Sequence, residues 1–105
     1  MRKVAFITGA SRLKGIGAST AFLFAKNNYD IIITGTKRDQ KSFPKYEKDI
    51  NWTGVNSLAK KLEKFDTEVL PIELDISNEN EVESAFSIII EKFNRIDVLV
   101  NNAST

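Results

Sequence analysis

Along this chain, short unbroken apolar runs alternate with longer stretches whose apolar residues recur at helical spacing. Val4-Ala5-Phe6-Ile7 is such a run, and residues 3–7 predict a first strand. Residues 16–28 predict a helix, with Ile16, Ala21, Phe22, Phe24 and Ala25 as its apolar positions and Asn27-Asn28-Tyr29-Asp30 as its exit. Residues 31–34 predict a second strand, closed by Gly35. Its three successive isoleucines imply burial on both faces. Over residues 55–65, Val55, Leu58, Ala59, Leu62 and Phe65 follow the i, i+3, i+4, i+7 rule of an amphipathic helix. Lys60, Lys61 and Lys64 bring the favourable charge sign to its last turns. Residues 68–74 predict a third strand through Val69, Leu70, Ile72 and Leu74. Pro71 inside it argues for an edge position or a bulge. Ser77 is the expected N-cap of a third long helix, with Glu79, Glu81 and Glu83 near its start. Val82, Ala85, Phe86, Ile89, Ile90 and Phe93 form its apolar face, and Asn94-Arg95 closes it. Residues 96–100 predict the last strand.

Strict β-α-β-α-β-α-β alternation implies an α/β fold with a parallel sheet covered by helices. Right-handed crossovers and a ligand loop beside the reversal of strand order give the order 3-2-1-4, with Pro71 on the outer strand. The polar passage 36–54 interrupts the alternation; it holds Pro44 and the scattered Phe43, Tyr46, Ile50 and Trp52. It is longer than the usual connection. It reads as a loop packed lightly on the surface: a lid, a subunit contact or a tolerated insertion.

The stretch between the first strand and first helix changes this picture from fold to chemistry. Thr8-Gly9-Ala10-Ser11 breaks the strand, and Gly15-Ile16-Gly17 opens the helix. The first amides of a helix have no intrahelical partner, and the macrodipole places partial positive charge there. Glycine permits positive φ and lets a phosphate approach without a Cβ in the way. Strand, glycines and helix in that order fit a dinucleotide pyrophosphate; an ordinary strand-to-helix turn is the plain alternative. No G-K-[ST] follows the glycines, which argues against a P-loop phosphotransferase.

Composition narrows the classes further. At 105 residues, 42% hydrophobic and 28% charged, the chain suits one small globular domain. Its formal net charge of +1 gives no electrostatic case for nucleic acid or an anionic membrane as partner. There is no cysteine and no histidine, which excludes thiolate chemistry, a histidine base and the usual zinc sites. No leader-like segment and no apolar run near the roughly eighteen residues of a membrane span is present, so a cytoplasmic location is expected.

Four ordered pieces then line up with a known family. They are the glycine stretch from Thr8 to Gly17, the basic Thr36-Lys37-Arg38 after the second strand, Leu74-Asp75-Ile76-Ser77, and Asn101-Asn102-Ala103-Ser104. The chain resembles the short-chain dehydrogenase/reductases, in particular those like 3-oxoacyl-[acyl-carrier-protein] reductase, over its whole length. The resemblance implies a Rossmann-type three-layer α/β/α fold. The family's T-G-x-x-x-G-x-G motif is lengthened here by two residues, so Ser11-Arg12-Leu13-Lys14 lies in a longer loop. Gly9, Ser11, Arg12, Lys14, Gly15, Ile16 and Gly17 are the expected phosphate-side contacts. An NAD site usually carries an acid after the second strand to meet the ribose 2′-OH. Here Thr36, Lys37 and Arg38 come first, with Arg12 or Lys14 available from the glycine loop, so NADP(H) is expected over NAD(H). The alternative is that Lys37 and Arg38 are solvated loop charges. Asp75 stands where the family contacts the adenine amino group, with Ile76 beside the ring; otherwise Asp75 caps the following helix turn. Asn101 is expected to hold the fourth strand to its neighbours, and the backbone around Ala103 to pass the nicotinamide-side ribose.

The family reduces a carbonyl with a Tyr acid and a Lys four residues later, aided by a Ser and a further Asn, all beyond the Asn-Asn-Ala segment. Four residues after Tyr29 and Tyr46 stand Ile33 and Ile50, so neither tyrosine has the Lys partner. No catalytic and no metal-binding residue is therefore expected within residues 1–105. The expectation is the cofactor-binding N-terminal half of an NADP-dependent reductase, inactive alone, whose parent acts on a small carbonyl substrate and forms a homo-oligomer. The alternative is a complete, non-catalytic nucleotide-binding or interaction module.

Overall fold

The computed structural model describes residues 2–12, 14–36, 43–75 and 77–102. Four parallel strands form its sheet: β1 (Val4–Ile7), β2 (Asp30–Gly35), β3 (Val69–Glu73) and β4 (Val98–Val100). The helices are α1 (Ile16–Lys26), α2 (Lys45–Lys48), α3 (Val55–Leu62) and α4 (Glu79–Lys92). Strand order is β3-β2-β1-β4, as the alternation predicts, and Pro71 lies on the edge strand β3. Ala5 pairs with Ile31 on one side and Val98 on the other, so β1 is central.

Burial explains the apolar runs. All of β1 is buried, and Ile31, Ile32 and Ile33 are inaccessible because helices cover both faces of the sheet. One face carries Ala5, Ile7, Ile31 and Ile33 against α1 and α3; the other carries Val4, Phe6 and Ile32 against Ile89 of α4. Asn28 and Asn94 leave α1 and α4 with φ of 68° and 55°, a left-handed exit that asparagine tolerates. The exit at Asn28 ends α1 two residues earlier than residues 16–28 predict.

Three expectations are corrected. The sheet-facing stripe of α1 is Gly17, Ala18, Ala21 and Ala25, small residues that let the helix lie close, whereas Ile16 is 74% exposed. Asn78, not Ser77, caps α4: its side chain accepts from the Asn80 and Glu81 amides. The passage after β2 is also more than a surface loop. Among its described residues, Phe43 and Trp52 are buried in the core with Val55, Leu58 and Leu62, and α2 adds a helical turn in which Glu47 is inaccessible. Two rings with large apolar area gain by burial, while most of the polar chain between them stays exposed.

Candidate functional site: the glycine loop and the cleft beside it

The loop after β1 is fastened from both sides. Ala10 N donates to Thr34 O of β2 at 2.9 Å, and Thr8 N donates to Val100 O of β4 at 3.1 Å. Asn102, just past β4, donates from its side chain to Gly9 O at 3.1 Å and from its backbone to Thr8 Oγ1 at 3.0 Å. On the other flank Trp52 Nε1 donates to Ser11 O at 2.8 Å. Two carbonyls of the loop are thus engaged by flanking side chains, which removes their negative ends from competition with an anion for the local amides.

The glycines differ in what they do. Gly9 has φ 68°, a conformation L side chains rarely adopt. At Gly17 an added Cβ would stand 2.8 Å from Gly9 O, 2.9 Å from Ala10 Cα and 3.0 Å from Asn102 Nδ2, so this position must lack a side chain for α1 to seat against the loop. At Gly35 a Cβ would meet that of Ser11 at 2.7 Å. Gly15 is extended, with φ −88°, and a Cβ there would meet only ordinary contact from Arg12 at 3.4 Å. A side chain at Gly15 would thus meet ordinary contact, while Gly9 takes its left-handed φ and Gly17 and Gly35 let neighbouring segments close up.

The first turn of α1 has neither a side-chain cap nor an acidic residue. The start of α4 is the opposite: Asn78 occupies its amides and Glu79 and Glu81 complement its dipole. The mouth of α1 consequently retains free amides and unneutralised positive potential. Exposed Ile16 adds an apolar wall, and Arg12 and Lys14 are exposed at the loop. Lys14 Nζ rests 4.3 Å from the centre of the Tyr46 ring.

A cleft of about 430 Å³ opens beside the ends of β2 and β3, lined by Thr36, Glu73, Leu74, Asp75 and Glu81. Asp75 Oδ1 accepts from the Ser77 hydroxyl (2.6 Å) and amide (2.9 Å), and the Asp75 amide donates to Glu81 Oε1 at 3.2 Å. The Ser77 hydroxyl, and then its amide, hold the Asp75 carboxyl below the usual range, so it is an acceptor at neutral pH. Asp75 thus orders the turn before α4, but the helix's own amides belong to Asn78. Asn101 Oδ1 accepts from Thr8 Oγ1 at 3.4 Å, a long contact beside the shorter ones made by Asn102.

The structure therefore places Gly9, Ser11, Arg12, Lys14 and Gly15 in one loop and Ile16 and Gly17 in the first turn of α1 that it leads into. Thr36 and Asp75 line the cleft, and Asn101 stands at the end of β4. Lys37, Arg38, Ile76 and Ala103 lie outside the described residues. Sequence reasoning missed Thr8, Asn102 and Trp52 as the residues that tie the loop down. A lone tryptophan in a polar passage was the available signal for Trp52; Thr8 and Asn102 gave none beyond their neighbours' motifs. Among the described residues no cluster of carboxylates could hold a metal ion, and no helix is long and apolar enough to cross a membrane.

The family profile for short chain dehydrogenases matches residues 3–105. Hydroxysteroid dehydrogenase-like protein 2 of Mus musculus is 37% identical over 99 residues, covering 94% of this chain and 18% of that protein. The 3-oxoacyl-[acyl-carrier-protein] reductase of Thermotoga maritima is 33% identical over 101 residues, covering 96% of this chain and 35% of that protein. L-Sorbose reductase of Gluconobacter frateurii, solved with NADPH and L-sorbose, superposes with a TM-score of 0.76 at 30% identity, over 99% of this chain and 34% of that one. The chain spans about a third or less of the length of these proteins. With the profile matched over residues 3–105 on a parallel sheet of order β3-β2-β1-β4, this chain belongs to the short-chain dehydrogenase family.

Proposed function

We propose that residues 1–105 are the N-terminal, dinucleotide-binding part of a single Rossmann domain in an NADP(H)-dependent oxidoreductase. The observation that carries this reading is the glycine loop itself. Gly9 takes a left-handed φ, Gly17 makes room for Gly9 O, and α1 starts at Gly15 with no side chain capping its first amides. A pyrophosphate suits that cradle, since amides and dipole favour negative charge there. The cleft at the ends of β2 and β3 suits the other end of such a ligand. Its lining of Glu73, Asp75 and Glu81 offers hydrogen-bond acceptors, which matches the amino edge of adenine.

Bound across the strand ends, the nicotinamide would supply a hydride to a carbonyl carbon of the parent protein's substrate. The residues of this chain would bind and orient it: Ile16 offers apolar contact at the helix mouth, and Asn101 and Ala103 follow β4 in sequence, the stretch assigned to the nicotinamide-side ribose. Thr36, Lys37 and Arg38 follow β2 in sequence, with no carboxylate before Asp39. A hydroxyl and two cations favour a ribose 2′-phosphate over a bare 2′-OH. The relative from Gluconobacter frateurii, solved with NADPH, supports that choice.

Titration calorimetry with NADPH and NADH at one salt concentration tests the reading. NADPH is expected to bind at least about tenfold more tightly, a difference of about 1.4 kcal/mol. Replacing Lys37 and Arg38 together by alanine should weaken NADPH and leave NADH unchanged. Equal or tighter NADH binding would overturn the cofactor preference, and absence of binding by either would overturn the site.

A further inference from the structure

The nucleotide reading above uses the glycine loop but not the segment that braces it. After α2 the chain reverses: Asn51 takes φ 57°, and Trp52 N donates to Glu47 O at 2.9 Å. That reversal carries the Trp52 ring into the core, 3% exposed, with its Nε1 donating to Ser11 O, 41 residues away in sequence. Gly54 also abuts Ser11, since a Cβ at Gly54 would lie 3.8 Å from the Ser11 Cβ and carbonyl oxygen. Tyr46, from α2, lies against Lys14 Nζ at the far end of the same loop. Both ends of the inserted stretch between Gly9 and Gly15 therefore meet one segment, residues 43–54.

We propose that residues 43–54 form the outer wall of the nucleotide site, with Trp52 as the positioning residue that sets the lengthened glycine loop for a dinucleotide's phosphates. This rests on the nucleotide reading. A loop two residues longer than the family pattern has more conformations to lose on binding, and an anchor that orders it beforehand lowers that cost. The anchor acts on a defined bond. Peptide groups are planar, and the described chain contains no cis bond, so holding the Ser11 carbonyl also fixes the direction of the Arg12 amide. The contact is also well protected: an indole N–H that is buried needs its acceptor, and Ser11 O is the one it has. A loop and a wall that order each other make the two long features of this sequence, the glycine insertion and the passage after β2, a single device.

The test compares Trp52→Phe, which keeps an aromatic ring and removes the N–H, with Leu62→Ala. Leu62 is a core residue at the other end of α3 from Ser11. NADPH and NADH dissociation constants are measured by calorimetry, and melting temperature by circular dichroism. Trp52→Phe is expected to weaken NADPH and NADH by the same factor, about tenfold, because the pyrophosphate is common to both. Leu62→Ala is expected to lower the melting temperature at least as far while both constants stay put. Equal binding by wild type and Trp52→Phe would overturn the inference while leaving the nucleotide site standing. A wild type that binds neither nucleotide would overturn the site, and the inference with it. A further measurement needs no variant: the Trp52 indole N–H, the chain's sole indole, should exchange with solvent more slowly once NADPH is added. Unchanged indole exchange under saturating NADPH would also overturn the wall.

Discussion

At the entry side of the sheet, two aspartates reach across strand boundaries to accept backbone amides. Asp30 Oδ1 accepts from Glu68 N at 2.9 Å, joining β2 to the start of β3, and Asp97 Oδ2 accepts from Val4 N at 2.7 Å, joining β4 to β1. Asp97 also receives the Arg95 guanidinium through both of its oxygens, while its own amide donates to Val4 O. The hydrogen bonds from Arg95, and then the Val4 amide, hold the Asp97 carboxyl below its ordinary range. A carboxylate whose folded pKa lies below its unfolded value of about 3.9 stabilises the fold above that pH. That contribution is lost as pH falls through the folded value. Wild type should accordingly lose urea stability between about pH 5 and pH 3 more steeply than Asp97→Asn, which should start weaker at pH 7. Parallel pH profiles for the two proteins would show that the carboxylate charge does not act through β1.

At the scale of the element, what decides each helix is how it begins. α1 starts bare at Gly15 and α4 starts fully dressed, with Asn78 accepting two amides and two glutamates in the first turn. Losing such a cap typically costs about 1 kcal/mol. Asn78→Ala should therefore lower urea stability by about that amount, and Ser77→Ala by less, since Ser77 bonds Asp75 rather than the helix. A larger loss from Ser77→Ala would reverse the assignment. This pair also shows where sequence stops being legible. Ser77 and Asn78 are both good caps and adjacent, and only the path of the chain past Asp75 chooses between them. The four strands were legible because unbroken apolar runs such as Ile31-Ile32-Ile33 have no other stable use. Their order followed from alternation and handedness. The stripe on α1 was not legible by hydrophobicity, because close approach at Gly17 and Ala21 selects small residues over Ile16 and Leu23. The burial of Phe43 and Trp52 was hidden for a different reason: a passage without period gives no face to read.

Across the whole molecule, the two faces of the sheet are unequally covered. The α1/α3 face holds the larger core, and Val98 and Val100 of β4 pack toward it. The α4 face buries Val4, Phe6, Ile32 and Ile89, with Phe86 set 5.8 Å from the Phe6 ring. Leu99, which pairs with Phe6 on that same face, is 64% exposed, and Ile88 and Ile90 of α4 are about half exposed. Among the described residues β4 pairs with β1 alone, so its other edge offers free amides and carbonyls beside this apolar surface. An edge of that kind templates pairing with another chain. The 105-residue chain on its own is therefore expected to self-associate across a dilution series in sedimentation velocity. Leu99→Lys should shift it toward monomer, because a charge on the edge strand opposes both strand pairing and apolar contact. Lys at Ile90 separates the two causes: it leaves the edge open, so it should relieve association only if the α4 face drives it. A wild-type chain that stays monomeric at every concentration would mean that β4 is too short to act as a template, and that the exposed apolar area is too broken to hold a second copy.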